Sequence, residues 1–243
     1  MRPSLKWFNP SYVASALRRR LSQKFFLPPG YGRIAFSQEG EDLVLNRLFA
    51  GSTSGFYVDV GAHHPRRYSN TAFFYARGWR GINIDPLPDC MKAFKRERPR
   101  DINLECGVSD TPGTLTYYMF ASPELNGFSP TTVLPESTRR QYSPVSSKTI
   151  SVDTLANILR QHLNPGIAIS FFSIDVEGYD LQVLKSNDWE AFRPDCVLVE
   201  DHGFCIDNPA ICPSYQFLTS LDYELIAKTP ATLIFRTQAK PLE

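Results

Sequence analysis

From Phe36 onward, the apolar positions alternate between two periods. Short runs rich in β-branched and aromatic residues read as strands: "GFYVDVG", "WRGINID", "DINLECGV", "TLTYYMF", "SKTISVD", "IAISFFSIDVEG" and "DCVLVEDHG". Between most of them lie segments with helical spacing. "SQEGEDLVLNRLF" places Ser37 as an N-cap before Leu43, Val44 and Leu48. "SNTAFFYARG" begins at a capping Ser69 and stops at Gly78, and "LPDCMKAFKRER", "TLANILRQHL", "DLQVLKSNDW" and "SYQFLTSL" follow. Strands alternating with helices of this size predict a mostly parallel sheet covered on both faces. The chain ends differently. "YELIAKT" and "TLIFRT" are separated only by Pro230 and Ala231, too short a gap for a crossover helix, so they form an antiparallel hairpin.

Two segments fall outside this pattern. Residues 1–35 form a leader in which Val13, Leu17, Leu21 and Phe25 recur at a spacing of four, an apolar helical stripe. Residues 120–147 are rich in Pro, Ser and Thr and read as an inserted loop, either a lid over a site or a mobile segment. The domain proper is expected over 36–243.

Charge divides the chain in the same place. Residues 1–33 carry seven basic residues and no acid, whereas the remainder holds 19 basic and 25 acidic residues. A mildly acidic domain disfavours nucleic acid as its main partner. The basic stripe fits either a peripheral membrane contact or a terminal helix packed on its own domain. No apolar run is long enough to span a bilayer, and the leader lacks the apolar stretch of a secretory signal. Five cysteines with no C-x-x-C pair argue against a disulfide framework and suit a reducing cytoplasm.

Ligands of open parallel sheets bind beyond the carboxyl ends of the strands. Acids gather there: Asp59 before Gly61, then Asp85, Asp110 after Ser109, Asp175 with Glu177, and Glu200 with Asp201 before His202. A dinucleotide would need G-x-G-x-x-G, but the second and third glycine positions are His63 and Arg66. A cofactor without phosphates relaxes that requirement. Gly61 then suffices for the tight turn, and Asp85 is placed to bind ribose hydroxyls. S-adenosylmethionine, with a sulfonium, an amino group, a ribose and no phosphate, fits two free carboxylates.

Taken together, "FSQEGEDLVL", "GFYVDVGAHHPRRYSNT", "RGINIDPLP", "NGFS" and "FFSIDVEGYDLQVLKSNDW" resemble the successive motifs of FkbM-family methyltransferases over residues 36–200. The resemblance implies the class I methyltransferase fold, a Rossmann-like three-layer α/β sandwich on a seven-stranded sheet whose last strand is antiparallel. It implies S-adenosylmethionine as cofactor and a hydroxyl acceptor, on a sugar, a glycan or a related natural product. Asp59, Gly61 and Ala62 then form the first cofactor loop. Asn70 holds the methionine carboxylate or merely caps a helix, Asp85 binds ribose, and Ser109 and Asp110 lie near the adenine. Gln38, Asp42, His63 and Asn126 are the candidate acceptor contacts.

Methyl transfer to an alcohol needs alignment and removal of a proton. His202 is the first candidate base, and Asp175 and Glu177 orient it, accept the proton or bind acceptor hydroxyls. The same three residues offer a place for a divalent cation, although a metal is not required by this chemistry. The adjacent pair His63–His64 is expected to make loop contacts, since neighbouring residues seldom converge on one metal. Two rival readings stay open. One is a metal-dependent glycosyltransferase that uses Asp175-Val176-Glu177 as a D-x-D-like site. The other is a non-catalytic cofactor-binding module.

Overall fold

The computed structural model describes residues 33–131 and 143–238. The apolar stripe from Val13 to Phe25 and the middle of the 120–147 loop lie outside the described residues. In chain order the elements are α1 (Glu41–Leu48), β1 (Phe56–Val60), α2 (Ala72–Ala76), β2 (Arg80–Ile84), α3 (Cys90–Glu97), β3 (Ile102–Leu104), β4 (Gly107–Val108), β5 (Gly113–Met119) and β6 (Ser146–Asp153). They continue with α4 (Leu155–His162), β7 (Phe171–Ile174), α5 (Asp180–Lys185), β8 (Cys196–Glu200), α6 (Pro213–Thr219), β9 (Tyr223–Lys228) and β10 (Thr232–Thr237).

Seven strands make one sheet in the order β3-β2-β1-β7-β8-β10-β9. Every pairing is parallel except those of β10, which runs antiparallel to both β8 and β9. The expected hairpin is therefore present, and this is the class I methyltransferase architecture. Strand order reverses between β1 and β7, where Val60 lies beside Ile174. Crossovers leave that point in opposite directions, so a crevice opens beyond the carboxyl ends of these two strands.

The sheet is buried on both faces because its central strands are apolar at successive positions. Phe171 and Phe172 are neighbours in sequence but enter different cores, as a side-chain period of two requires. Phe172, Val58, Val60, Ile82 and Val197 pack with Leu155 and Leu159 of α4 and Val183 of α5. Phe171 and Tyr57 pack with Leu45 of α1 and Phe74 of α2. An aromatic cluster fills this second layer: Trp79 lies 4.8 Å from Phe74 and 5.4 Å from Phe49 between ring centroids. Removing one such ring costs about 3–5 kcal/mol.

Three local expectations change. Ser37 does not cap α1 from the adjoining position; the helix starts four residues later, after Gly40 turns at φ 91°. The run "DINLECGV" is not one strand. The chain bends at Glu105–Cys106, and β4 leaves the main sheet for a three-stranded sheet ordered β4-β6-β5. The 120–147 insertion is also shorter than expected at one end, because Ser146 and Ser147 already belong to β6. Its described start is pinned. Residues Pro123–Leu125 make a 3-10 turn, and Gly127 exchanges backbone hydrogen bonds of 2.8 and 3.2 Å with Tyr118.

Candidate active site

Gly61 follows β1 with φ 81°, and a Cβ built there would lie 1.7 Å from the Asp175 carbonyl oxygen. Only glycine fits that approach of two strand ends. The backbone amides of Gly61 and Ala62 donate to Ile84 O at 2.9 and 3.1 Å, latching the loop to the end of β2. Asp85, one residue beyond that strand, holds the same loop. Its Oδ2 accepts from the His63 amide and its Oδ1 from the Leu87 amide, both at 2.8 Å. Burial raises its pKa, and these amides act against the rise.

Two connected hollows surround this loop. An apolar slot of about 330 Å³ lies between Val60, Ile84, Cys106, Val108, Tyr117 and Phe128. A polar cleft of about 860 Å³ is lined by Gln38, His63, Asp85, Asn126, Asp175, Glu177, Glu200 and His202, among others. Gly61, Tyr117 and Asn126 border both.

The far wall of the cleft is acidic. One carboxylate oxygen from each of Asp175, Glu177 and Glu200 lies within 4.8 Å of the others. Asp175 opens to solvent through the cleft but has protein packed around it, and its pKa stands well above the ordinary carboxylate range through desolvation and the neighbouring Glu200 and Glu177. Desolvation, then Glu200, pushes Glu177 up to about 8. Its Oε2 is buried with no hydrogen-bond partner, and its backbone sits at φ 54°, a region costly for a side chain. Asp180, also raised to about 8 chiefly by burial, braces the turn by accepting from the Val176 and Gly178 amides at 3.3 and 3.1 Å. His202 Nε2 stands 3.1 Å from Glu200 Oε1, and this hydrogen bond raises the imidazole pKa.

The expected site residues therefore separate into two groups. Gly61, Asp85, Gln38, His63, Asn126, Asp175, Glu177 and His202 converge on the cleft. Asp59 does not line either hollow. It lies inside β1 rather than beyond its end, so its side chain points into the α2 layer and accepts from Thr71 Oγ1 at 2.6 Å. Thr71 in turn accepts at 2.7 Å from Arg98, which is 1% exposed and also donates to Ser69 Oγ at 2.8 Å and to Pro65 O. The network compensates two buried charges and stiffens the loop that follows β1. Asn70 donates to Ser173 Oγ at 3.1 Å; Thr71, not Ser69, is the N-cap of α2, although Ser69 Oγ accepts from the Ala72 amide at 3.1 Å. Ser109 and Asp110 line neither hollow, because the bend after β3 turns them away; Cys106 and Val108 border the slot instead. Asp42 is fully buried and accepts from the Phe36 amide and Ser37 Oγ, both at 2.7 Å. Ala62 packs on Met91 and Phe94, donates its amide to Ile84 O and lines neither hollow.

The histidine pair makes loop contacts. His64 Nδ1 accepts from the amides of Arg66 and Arg67, each at 3.0 Å. His63 Nε2 faces Arg67 Nη2 at 3.3 Å, and Arg67 pairs with Glu124 across the cleft mouth. Tyr117, Glu124 and Asp180 were not among the expected site residues, and Glu200 was counted with the strand-end acids but given no role. Glu200 had a usable signal, since it lies two positions before His202 and strand ends present alternate residues to one side.

Residues 59–225 match the family model described as the methyltransferase FkbM domain. No curated protein matches the chain. Solved structures give looser likenesses. A TehB-like SAM-dependent methyltransferase from Corynebacterium glutamicum is 10% identical over 95% of this chain and all of its own, with a TM-score of 0.39. An O-methyltransferase from Bacillus cereus in complex with SAH is 11% identical over 95% of this chain and 92% of its own, with a TM-score of 0.41. A putative type 11 methyltransferase from Sulfolobus solfataricus is 12% identical over 85% of this chain and 97% of its own, with a TM-score of 0.36.

Proposed function

This chain belongs to the FkbM methyltransferase family, and we propose that it transfers the methyl group of S-adenosylmethionine to a hydroxyl of a sugar, a glycan or a related natural product. The observation that carries the reading is the His202–Glu200 pair, 3.1 Å apart, on the cleft wall that continues to the Gly61 loop. The loop suits the cofactor because Gly61 lets the turn after β1 close against the Asp175 carbonyl while it borders both hollows. Gly61 would border it through backbone, Asp85 would bind the ribose hydroxyls, and Cys106, Val108, Tyr117 and Phe128 would surround an apolar ring. When bound, the cofactor supplies an electrophilic methyl group on a sulfonium.

The rest of the work falls to the chain. His202 accepts the acceptor's hydroxyl proton, and Glu200 orients the ring and stabilises the imidazolium that results. Asp175 and Glu177, both with raised pKa values, bind neighbouring hydroxyls as donors or acceptors. Because the His202 pKa is raised and the base must be neutral to act, kcat/KM should climb with pH through a value above that of an ordinary imidazole. Glu200→Gln should shift that limb downward.

A second reading rests on the same wall. Three carboxylate oxygens within 4.8 Å of one another suit a divalent cation that lowers the hydroxyl's pKa. Full turnover in the presence of EDTA removes it.

The test is product analysis with S-adenosylmethionine labelled on the methyl carbon. An O-methyl ether is expected. His202→Ala should lower kcat by about 10²–10⁴-fold without weakening S-adenosylhomocysteine binding. A label on carbon or nitrogen, or undiminished kcat in that variant, contradicts the proposal.

A further inference from the structure

Charge is divided unevenly within the domain itself. Between Arg66 and Arg100 the chain carries nine Lys and Arg residues, of which only Arg98 is buried, against three acids, of which Asp85 is buried. The other described residues hold eight basic and 20 acidic side chains. Residues outside the described range add nine basic and two acidic ones, so they cannot cancel the basic excess. That excess has a definite place. β1, β2 and β3 follow one another across the sheet, and right-handed crossovers put α2 and α3 on the same face. The loop before α2 and the end of α3 meet there. Arg66 and Arg96 share Glu97 at 2.8 and 3.0 Å, and Lys95 is exposed beside Arg96. Arg100 lies over the Tyr75 ring of α2, 4.1 Å from its centroid. One carboxylate among these four cations leaves the cluster positive. The chain also enters the domain at this loop, where Phe36 O accepts from the Ser69 amide at 3.0 Å. Tyr68, next to Ser69, is 50% exposed, and Ile34, two residues before Phe36, is 80% exposed.

We propose that the face built by α2, α3 and the loop before α2 docks on an anionic bilayer surface. The inference stands apart from methyl transfer and does not depend on it. Three features select a bilayer over another polyanion. A plane touches one face and leaves the acidic remainder of the domain in solvent, so like-charge repulsion is avoided. An exposed tyrosine and isoleucine near the cations suit the interfacial layer, where amphipathic rings sit at headgroup level. The third feature is in the sequence. The 32 residues that precede the described domain carry six Lys and Arg residues and no acid, with Val13, Leu17, Leu21 and Phe25 at a spacing of four. Cations alone would serve a nucleic acid, whereas an apolar stripe among them gains from acyl chains. Stable attachment to a membrane commonly takes two such signals, and the basic face is the second.

Co-sedimentation of the full chain with lipid vesicles tests the proposal. The chain should bind phosphatidylcholine vesicles that contain phosphatidylserine and should not bind phosphatidylcholine alone. Binding should weaken as salt is raised from about 0.1 M to about 1 M, over which the screening length falls from about 10 Å to about 3 Å. Lys95→Glu should weaken it by about tenfold or more, the scale expected when a basic side chain near such a surface is reversed. Lys185→Glu makes the same change on α5, which packs on the opposite face of the sheet, and should leave binding as in the wild type. Both lysines are exposed, so neither change disturbs a core. Equal binding to the two kinds of vesicle, binding to neither, or an equal loss in the two variants overturns the proposal. Retention of RNA by the wild-type chain without any vesicle binding would assign the face to nucleic acid instead.

Discussion

At Gly61 one hydrogen separates a working loop from a collision. Gly61→Ala places a methyl group 1.7 Å from a carbonyl oxygen that belongs to the neighbouring strand end, at a φ that also disfavours alanine. The loop must move, so the thermal shift on adding S-adenosylhomocysteine should vanish in this variant and persist in Gly203→Ala. Glu177 is the opposite case, a residue whose placement costs stability. Its folded pKa of about 8 stands above its ordinary 4.5. A raised acid stabilises the fold below the unfolded value and loses that contribution as pH rises through the folded value. Wild-type stability should therefore fall between about pH 4.5 and pH 8. Glu177→Gln does not titrate, so its melting temperature should gain on wild type over that window, by roughly 2–4 °C per kcal/mol. An unchanged gap between pH 5 and pH 8 would show that Glu177 is not desolvated. The pair Asp59 and Asp85 shows the limit of sequence reading at this scale. Both are acids at strand ends, yet Asp59 sits level with Asn83 and bonds Thr71 inside the protein, while Asp85, two positions beyond Asn83, faces the cleft.

At the scale of elements, "SQEGED" ties the start of the domain to its end. Glu41 Oε1 accepts from Thr229 and Thr232 hydroxyls at 3.0 and 3.3 Å, and Glu39 Oε2 accepts from the Ala231 amide at 2.9 Å. These contacts clamp the β9–β10 turn and set Gln38 on the cleft. Acids at a helix start read as caps, and a partner 188 residues away in sequence has no local signature. Glu41→Ala should lower unfolding stability by about 1–3 kcal/mol, because it takes the carboxylate partner from two part-buried hydroxyls. Glu41→Gln should recover most of the loss. Urea denaturation of the three proteins decides it, and equal midpoints would mean the clamp contributes nothing. Strands and helices themselves were legible because their periodicity is local. The break between β3 and β4 was not, since an apolar run looks the same whether or not it bends into a second sheet.

For the whole molecule, the mostly parallel sheet and its reversed strand followed from the gap of two residues before β10 and from the spacing of the strands. The switch point then fixed where a site could be. Which residues face it depends on how far each strand runs before it ends, and so Glu200 received no role while Ser109 and Asp110 were placed near the adenine. Among the described residues no helix is long and apolar enough to cross a membrane. The central claim is that the crevice between β1 and β7 takes S-adenosylmethionine, with Asp85 on its ribose. Titration calorimetry tests it most directly: the wild-type chain should bind S-adenosylmethionine with a Kd of roughly 1 μM, weakened about tenfold or more by Asp85→Ala. No heat with S-adenosylmethionine, alongside tight binding of a nucleotide-sugar with manganese, would contradict the account and favour glycosyl transfer.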